Sequence, residues 1–237
     1  MAIATAKVKV KVKLHGGKRM RASLETRPNT AVSPEEAISA LRKFKAPKFD
    51  QTVNVVVNLG IDPKAADQAL RGSMSMPHGI GRTSRVICFC GSDKVAGAKA
   101  AGAVEAGSDD LVAKIEQGWM EFDVAVASPD MMRIVSKLGK VLGPKGLMPS
   151  PKAGTVAADV AAAVKEYGAG KQEYRNDDSG NVQCVIGKMS FKDDQLIDNL
   201  KHFIAIIHKV KPSSVKGVYL KKCVVAASMS PSVQVNA

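Results

Sequence analysis

The chain has 237 residues, 45% of them hydrophobic, and its 35 lysines and arginines against 22 aspartates and glutamates give a formal net charge of +13. That is enough apolar material for one large core or two modest ones without disulfide staples, and the basic excess favours a polyanionic partner over a neutral small molecule. No run approaches the roughly 18 uninterrupted apolar residues of a bilayer span, and "AKVKVKVKLHGGKRMR" near the start is charged throughout, with no apolar signal segment, so a cytoplasmic protein with no membrane partner is expected.

The charge is unevenly spread. Residues 1–78 hold 14 basic and 6 acidic residues, residues 79–170 hold 11 and 10, and residues 171–237 hold 10 and 6. Net charges of +8, +1 and +4 point to one basic domain built from both ends of the chain, 1–78 with 171–237, and a neutral domain, 79–170, inserted into it. Two unrelated basic tails on one globule are the competing reading, which suits residues 1–24, with seven basic residues and no acid.

In chain order, "SPEEAISALRKF" offers Ser33 as N-cap, Pro34 at the first helical position and Glu36 to close a capping box, so a helix starts there. "QTVNVVVNLG" sets Val53, Val55, Val57 and Leu59 on one face at period two, stopped by Gly60, which predicts a half-buried strand. Next come strand "RVICFC", helices "SDKVAGAKAAGA" and "SDDLVAKIEQG", strand "DVAVA", helix "SPDMMRIVSKLG", a loop rich in glycine and proline over 138–156, and helix "AADVAAAVKEYG". Strands alternating with helices predict parallel βαβ units, hence a small Rossmann-like three-layer α/β domain. Its crossings to the basic domain fall near "PHGIG" and "YGAGK", where glycines suit either hinge motion or plain turns.

Beyond the second crossing, "KQEYRND" and "NVQCVIG" flank Asp178-Ser179-Gly180 and read as a hairpin-like pair. In "DDQLIDNLKHFIAIIHKVKP", Leu196, Leu200, Phe203, Ile204 and Ile207 recur at helical spacing before Pro212 ends the helix, and "GVYLKKCVVAAS" supplies a last strand. The fold class expected is therefore α/β and α+β in two domains: a discontinuous α+β sandwich (split βαβ-like) formed by both termini, helices on one face of its sheet, with the Rossmann-like domain inserted.

Catalytic chemistry finds little footing. A P-loop needs G-x-x-x-x-G-K-[ST], yet Gly139-Lys140 is followed by Val141 and Gly170-Lys171 by Gln172, while "GIGRTS" at 79–84 has Ser84 for its third glycine. In the 138–156 loop Pro144, Pro149 and Pro151 have no N–H to offer a phosphate, although the frame suits presentation of Lys140, Lys145 and Lys152. Cys88, Cys90, Cys184 and Cys223 form no CxxC pair and sit among strand residues, and His15, His78, His202 and His208 are scattered. No enzyme, cofactor or metal is expected. A nucleotide-using enzyme in the middle domain is the alternative. For binding, Lys221 and Lys222 are consecutive in a strand, so at least one faces solvent. Phe49, beside Lys48, is the best candidate to stack on a base, with a core position as the alternative.

The motifs "GKRMR", "KFDQTVNVVVNLGID", "RGSMSMPHGIGR", "FDVAVASPDMMR", "KLGKVLGPKGLMPSPKAGTV", "YRND", "KGVYLKK" and "SMSPSV" occur in the order found in the bacterial ribosomal protein L-one family, which the chain resembles over roughly residues 17–236. The resemblance implies a protein that is a monomer when free and binds large-subunit ribosomal RNA at the mobile side stalk. It implies help for deacylated tRNA leaving the exit site, and repression of the protein's own operon through its mRNA. Carried onto this sequence, it implies RNA contacts at Lys48, Phe49, Thr52, Arg175, Asp177, Ser228, Met229 and Ser230. The family usually reads Thr-Met-Gly where this chain reads Ser228-Met229-Ser230, so a side chain stands where close approach or positive φ is expected. The basic extension at 1–16 is not typical and reads either as an arm for RNA phosphates or as a solvated tail.

Overall fold

In the computed structural model, residues 17–65 and 67–236 are described, and the basic extension at 1–16 lies outside them. Within the residues that the competing reading makes a tail, those from Lys18 onward fold into helix α1 (Lys18–Glu25), in which Ser23 is buried and its hydroxyl donates to the Arg19 carbonyl at 3.1 Å. Helix α2 (Pro34–Lys43) starts with the expected capping box: the Ser33 side chain accepts from Glu36 N, and the Glu36 carboxylate accepts from Ser33 N at 3.1 Å. Strand β1 (Thr52–Leu59) buries Val53, Val55, Val57 and Leu59 in strict alternation. It ends at Gly60, whose N–H donates to the Tyr219 carbonyl at 2.7 Å. A Cβ there would lie 2.3 Å from the Val218 carbonyl oxygen, so only glycine lets the two backbones approach.

After β2 (Arg71–Met74) come β3 (Val86–Phe89), α3 (Ser92–Ala100), β4 (Glu105–Gly107), α4 (Asp109–Glu116) and β5 (Val124–Ala127). Short helices α5 (Met132–Val135) and α6 (Gly139–Leu142) follow, with single 3-10 turns around them, then α7 (Val160–Gly168), β6 (Gln172–Arg175), β7 (Asn181–Lys188), α8 (Asp193–Lys209), β8 (Leu220–Ala227) and β9 (Val233–Val235). The chain is thus mixed α/β, with three sheets among the described residues: β7-β1-β8-β9, β2-β6 and β4-β3-β5.

The four-stranded sheet is antiparallel throughout, and α2 and α8 close one face of it. Ile38 and Leu41 of α2 and Leu196, Leu200, Phe203 and Ile207 of α8 meet the buried residues of β1 in one core, drawn from residues 37–80 and 174–235. Burying a side chain such as Phe203 contributes about 1.5–3 kcal/mol relative to leaving it in water. The three-stranded sheet is parallel, and its faces have separate cores. Val86 and Cys88 pack with α3 and α7, while Ile87 and Phe89 pack with α4, α5 and α6.

Several expectations need correction. "KQEYRND" and "NVQCVIG" are not a paired hairpin: β6 pairs with β2, β7 pairs with β1, and the two strands meet at the isolated bridge Asn176↔Val182. The Gln172 side chain takes the place of a strand partner, accepting from Val185 N at 3.1 Å and donating to Val185 O at 2.7 Å. Between the two helices of "SDKVAGAKAAGAVEAGSDDLVAKIEQG" lies β4, too short at three residues to announce itself by alternation. The segment read as one helix, "SPDMMRIVSKLG", is broken into 3-10 and α turns, with the Ser136 hydroxyl donating back to the Met132 carbonyl at 2.6 Å.

Candidate nucleic-acid interface

The residues singled out on the sequence, apart from Lys140, Lys145 and Lys152, fall into two groups at opposite ends of β1. Its eight residues, at about 3.3 Å each, set the groups roughly 25 Å apart. The first group gathers where β1 begins and β8 ends. A turn closes there with Ser230 N donating to Ala227 O at 2.9 Å, and Met229 within it takes φ +59°, the one positive φ outside glycine among the described residues. A left-handed methionine costs about 1–2 kcal/mol, and Met229 is 66% exposed, so its own packing does not offset that cost.

The turn is instead held from outside. Gln51, 3% exposed, donates from its amide to Ser228 O at 2.6 Å and to the Ser230 hydroxyl at 3.0 Å. Ser228 donates its N–H and hydroxyl to Thr52 O at 3.0 and 3.3 Å, and the Arg19 guanidinium donates to Met229 O at 3.1 Å. Lys188 Nζ donates to Thr52 Oγ1 at 2.8 Å. The structure therefore brings Thr52, Ser228, Met229 and Ser230 together, with exposed Lys48 and Phe49 on the segment leading into β1. Phe49 is 48% exposed and is not a core residue. Positive φ belongs to Met229 and not to position 230, so serine is accommodated there and its hydroxyl gains a buried donor.

Arg19, Gln51 and Lys188 escaped the sequence reading. Arg19 lies inside "GKRMR", but nothing local says that a guanidinium reaches a carbonyl 210 residues away. Gln51 looks like an ordinary polar residue at a strand start, and only the fold buries it.

The second group lies where β1 ends and β8 begins. Lys221 and Lys222 are both exposed because the register slips between Asn58 and Leu59, which face Lys222 and Leu220 and leave Lys221 as the extra residue of a bulge. Arg175 is exposed at the end of β6. Asp177 is engaged by its own turn: its carboxylate accepts from Asn181 Nδ2 at 3.0 Å, Asn181 N at 2.7 Å and Ser179 N at 2.9 Å. These bonds, those from Asn181 foremost, hold the carboxyl below the usual carboxylate range.

Lys140, Lys145 and Lys152 are exposed and join neither group. Their segment is less a loop than a braced frame. Leu138 and Leu142 are fully buried, and Thr155 Oγ1 accepts from Ser150 N at 2.8 Å and donates to Ser150 O at 3.1 Å. Gly146, Leu147 and Met148 of this frame line a cleft of about 450 Å³ together with Thr52, Val185 and Lys188.

Reactive groups are scarce among the described residues. All four thiols are free and buried, and burial raises Cys88, pushes Cys184 up to about 12 and Cys223 to about 11, so they stay protonated and poorly nucleophilic at neutral pH. His78 meets Asp198 at 3.2 Å, His202 and His208 are exposed, and no group of three or more His, Cys, Asp or Glu is placed to hold a metal ion. No described helix is long and apolar enough to cross a membrane.

Comparison with known proteins supplies the class, a ribosomal protein, and then the family. The profile described as "Ribosomal protein L1p/L10e family" matches residues 41–231. The chain belongs to that family. It is 50% identical over 220 residues to the large ribosomal subunit protein uL1 of Streptococcus gordonii, covering 92% of this chain and 96% of that protein. It is equally similar, at the same coverage, to the protein of that name from Streptococcus pneumoniae. That of Maridesulfovibrio salexigens is 46% identical over 220 residues, 93% of this chain and 94% of its own length.

Proposed function

We propose that the protein is a structural constituent of the large ribosomal subunit, a cytoplasmic particle, and binds large-subunit ribosomal RNA at the mobile side stalk. The observation that carries this reading is the Met229 turn: an exposed apolar side chain held in a strained conformation by Gln51, Thr52 and Arg19, beside exposed Phe49 and Lys48. Strain maintained from outside at a surface residue marks a preorganised contact, and stacking beside cations suits unpaired bases in a folded RNA. Arg175, Lys221 and Lys222 add phosphate contacts at the far end of the sheet.

The chain works as two domains, the sandwich of 1–78 with 171–237 and the inserted Rossmann-like domain of 79–170, which move apart at the two crossings. The separate cores support this division. The free protein is a monomer and has no catalytic role. The protein assists deacylated tRNA in leaving the exit site. In support, residues 131–158 hold Arg133, Lys137, Lys140, Lys145 and Lys152 and no acid. Repression of the protein's own operon follows if an mRNA element presents the same shape as the stalk RNA to the Met229 surface.

The test is titration of a side-stalk ribosomal RNA fragment with the protein and with Met229→Asp. The aspartate puts an anion at the contact, so binding weakens at least about tenfold while the melting temperature holds. Unchanged affinity in a folded variant overturns the site. Equal affinity of the unaltered protein for a random duplex overturns the function.

A further inference from the structure

The last 39 residues of the chain, from Asn199 on, contain no aspartate or glutamate, and five of their lysines, at 209, 211, 216, 221 and 222, fall within 14 residues. All five are exposed, and none makes an ion pair among the described residues. They stand on a stiff support. Val215 and Tyr219 are buried, Val215 N donates to Pro212 O at 3.2 Å, and the backbone around Val218 is pressed against Gly60. Lys211 Nζ sits 5.8 Å from the centroid of the Tyr219 ring. Of the carboxylates at the same end of the sheet, Asp62 and Asp177 are engaged by backbone N–H groups of their own loops, and Asp178, exposed in the same turn as Asp177, forms no ion pair with any of the five lysines.

Like charges gathered without counter-ions repel one another and weaken the fold, so the cluster is best stabilised by an anion from outside. Its chemistry selects the anion. Every cation in the stretch is lysine, a point charge on a flexible stem, and its one aromatic ring, Tyr219, is buried. Such a surface meets phosphates and does not read bases. A membrane surface fits less well, because stable anchoring takes a second signal beside a basic patch, and the exposed apolar residues here are only Val210 at 38% and Val218 at 72%.

We infer that this lysine end grips the phosphate backbone of a second RNA segment, separate from the one that meets Met229, so that the sheet clamps two RNA segments roughly 25 Å apart. The inference rests on the RNA-binding reading and adds Lys209, Lys211 and Lys216 to its surface. One segment is recognised by the strained turn; the other is held by charge alone.

The experiment compares the full chain, a variant combining Lys211→Ala, Lys216→Ala and Lys221→Ala, and Met229→Asp. Each is titrated with the side-stalk RNA fragment and with an unrelated RNA duplex across a salt series, and the stalk complexes are mapped by phosphate-ethylation interference. All three lysines are exposed, so the variant folds, which its melting curve checks. The triple variant should bind both RNAs at least about tenfold more weakly, with the log–log salt slope reduced by about three and the preference for stalk RNA unchanged. It should lose a set of phosphate contacts that Met229→Asp retains.

An unchanged slope overturns the clamp, as does loss of one and the same set of phosphates in both variants. If the triple variant binds RNA normally but no longer binds vesicles containing phosphatidylglycerol, the patch is a membrane surface and the clamp is wrong. If the unaltered chain shows no preference for stalk RNA, the RNA-binding reading itself falls, and the clamp with it. A preference that survives beside an unchanged slope removes the clamp alone.

Discussion

Strands β1 and β3 are both apolar, yet β1 buries alternate residues while β3 buries all four. The difference lies in what covers them. The sheet of β1 carries α2 and α8 on one face, whereas helices pack against both faces of the sheet containing β3. An antiparallel sheet covered once leaves a half-buried face and its strand ends for a partner, and a parallel sheet covered twice leaves only its loops. The charge follows the same division: +4 on residues 17–78 and +4 on residues 171–237, the segments around the open sheet, and +1 between them. Exposed sheet surface and basic charge therefore go together in this chain.

The contrast holds only if the two regions are energetically separate, and Phe203→Ala tests that with the largest expected effect. Phe203 is fully buried in a core that shares no residue with the cores around β3. Truncation should remove about 3–5 kcal/mol from the region of β1, β7 and β8. Hydrogen exchange should show protection lost in those strands and kept in β3 and β5. Simultaneous loss in both would mean one cooperative core and would break the comparison.

How far the sequence disclosed this depended on the range of the signal. The capping box of Ser33 and Glu36, the alternation along β1 and the spacing of Leu196, Leu200, Phe203 and Ile207 are local patterns, and each element stands where they put it. β2, β4 and β9 are three or four residues long and are defined by their partners, so no periodicity could reveal them. The pairing of β6 was misjudged because a turn signal says that the chain reverses, not that the flanking strands bond to each other. At the candidate site, Phe49 is legible as the aromatic beside Lys48, whereas Met229 and Thr52 come from the family resemblance, which says nothing of what holds them. Gln51 and Arg19 act across the fold, and Lys221 became exposed through a bulge that depends on the register with β1.

Each region also has a surface segment braced by one buried polar side chain: Gln51 under the Met229 turn, and Thr155 under the frame that carries Lys145 and Lys152. Gln51→Ala removes the donor to Ser228 O and the Ser230 hydroxyl, so a loss of about 1–3 kcal/mol is expected. Stalk-RNA affinity should fall beyond what the lost stability explains, because the left-handed turn relaxes. Ser230→Gly, which loses only the bond from Gln51 Nε2, should change both quantities less. If Gln51→Ala lowers stability and leaves RNA binding untouched, the brace serves the fold alone and the two regions are alike in this respect.

The smallest expected effect is in acid, and it separates the regions by mechanism. In the middle region Asp123 is held below its ordinary value of 3.8, first by the backbone N–H of Arg85 and then by the Arg85 and Arg82 side chains. In the end region Asp177 is lowered mainly by Asn181, through neutral N–H donors. Both folded pKa values lie below the unfolded one, so each contribution is present in full above about pH 4 and is lost as pH falls through the lowered value. Neither carboxylate is buried, so the acid limb should be shallow. Asp123→Asn and Asp177→Asn should each flatten it for one region. Salt should weaken the Asp123 contribution, which includes two guanidinium partners, more than that of Asp177, whose N–H partners carry no net charge. Equal salt sensitivity of the two acid limbs would mean that the arginines beside Asp123 add nothing beyond the backbone bond.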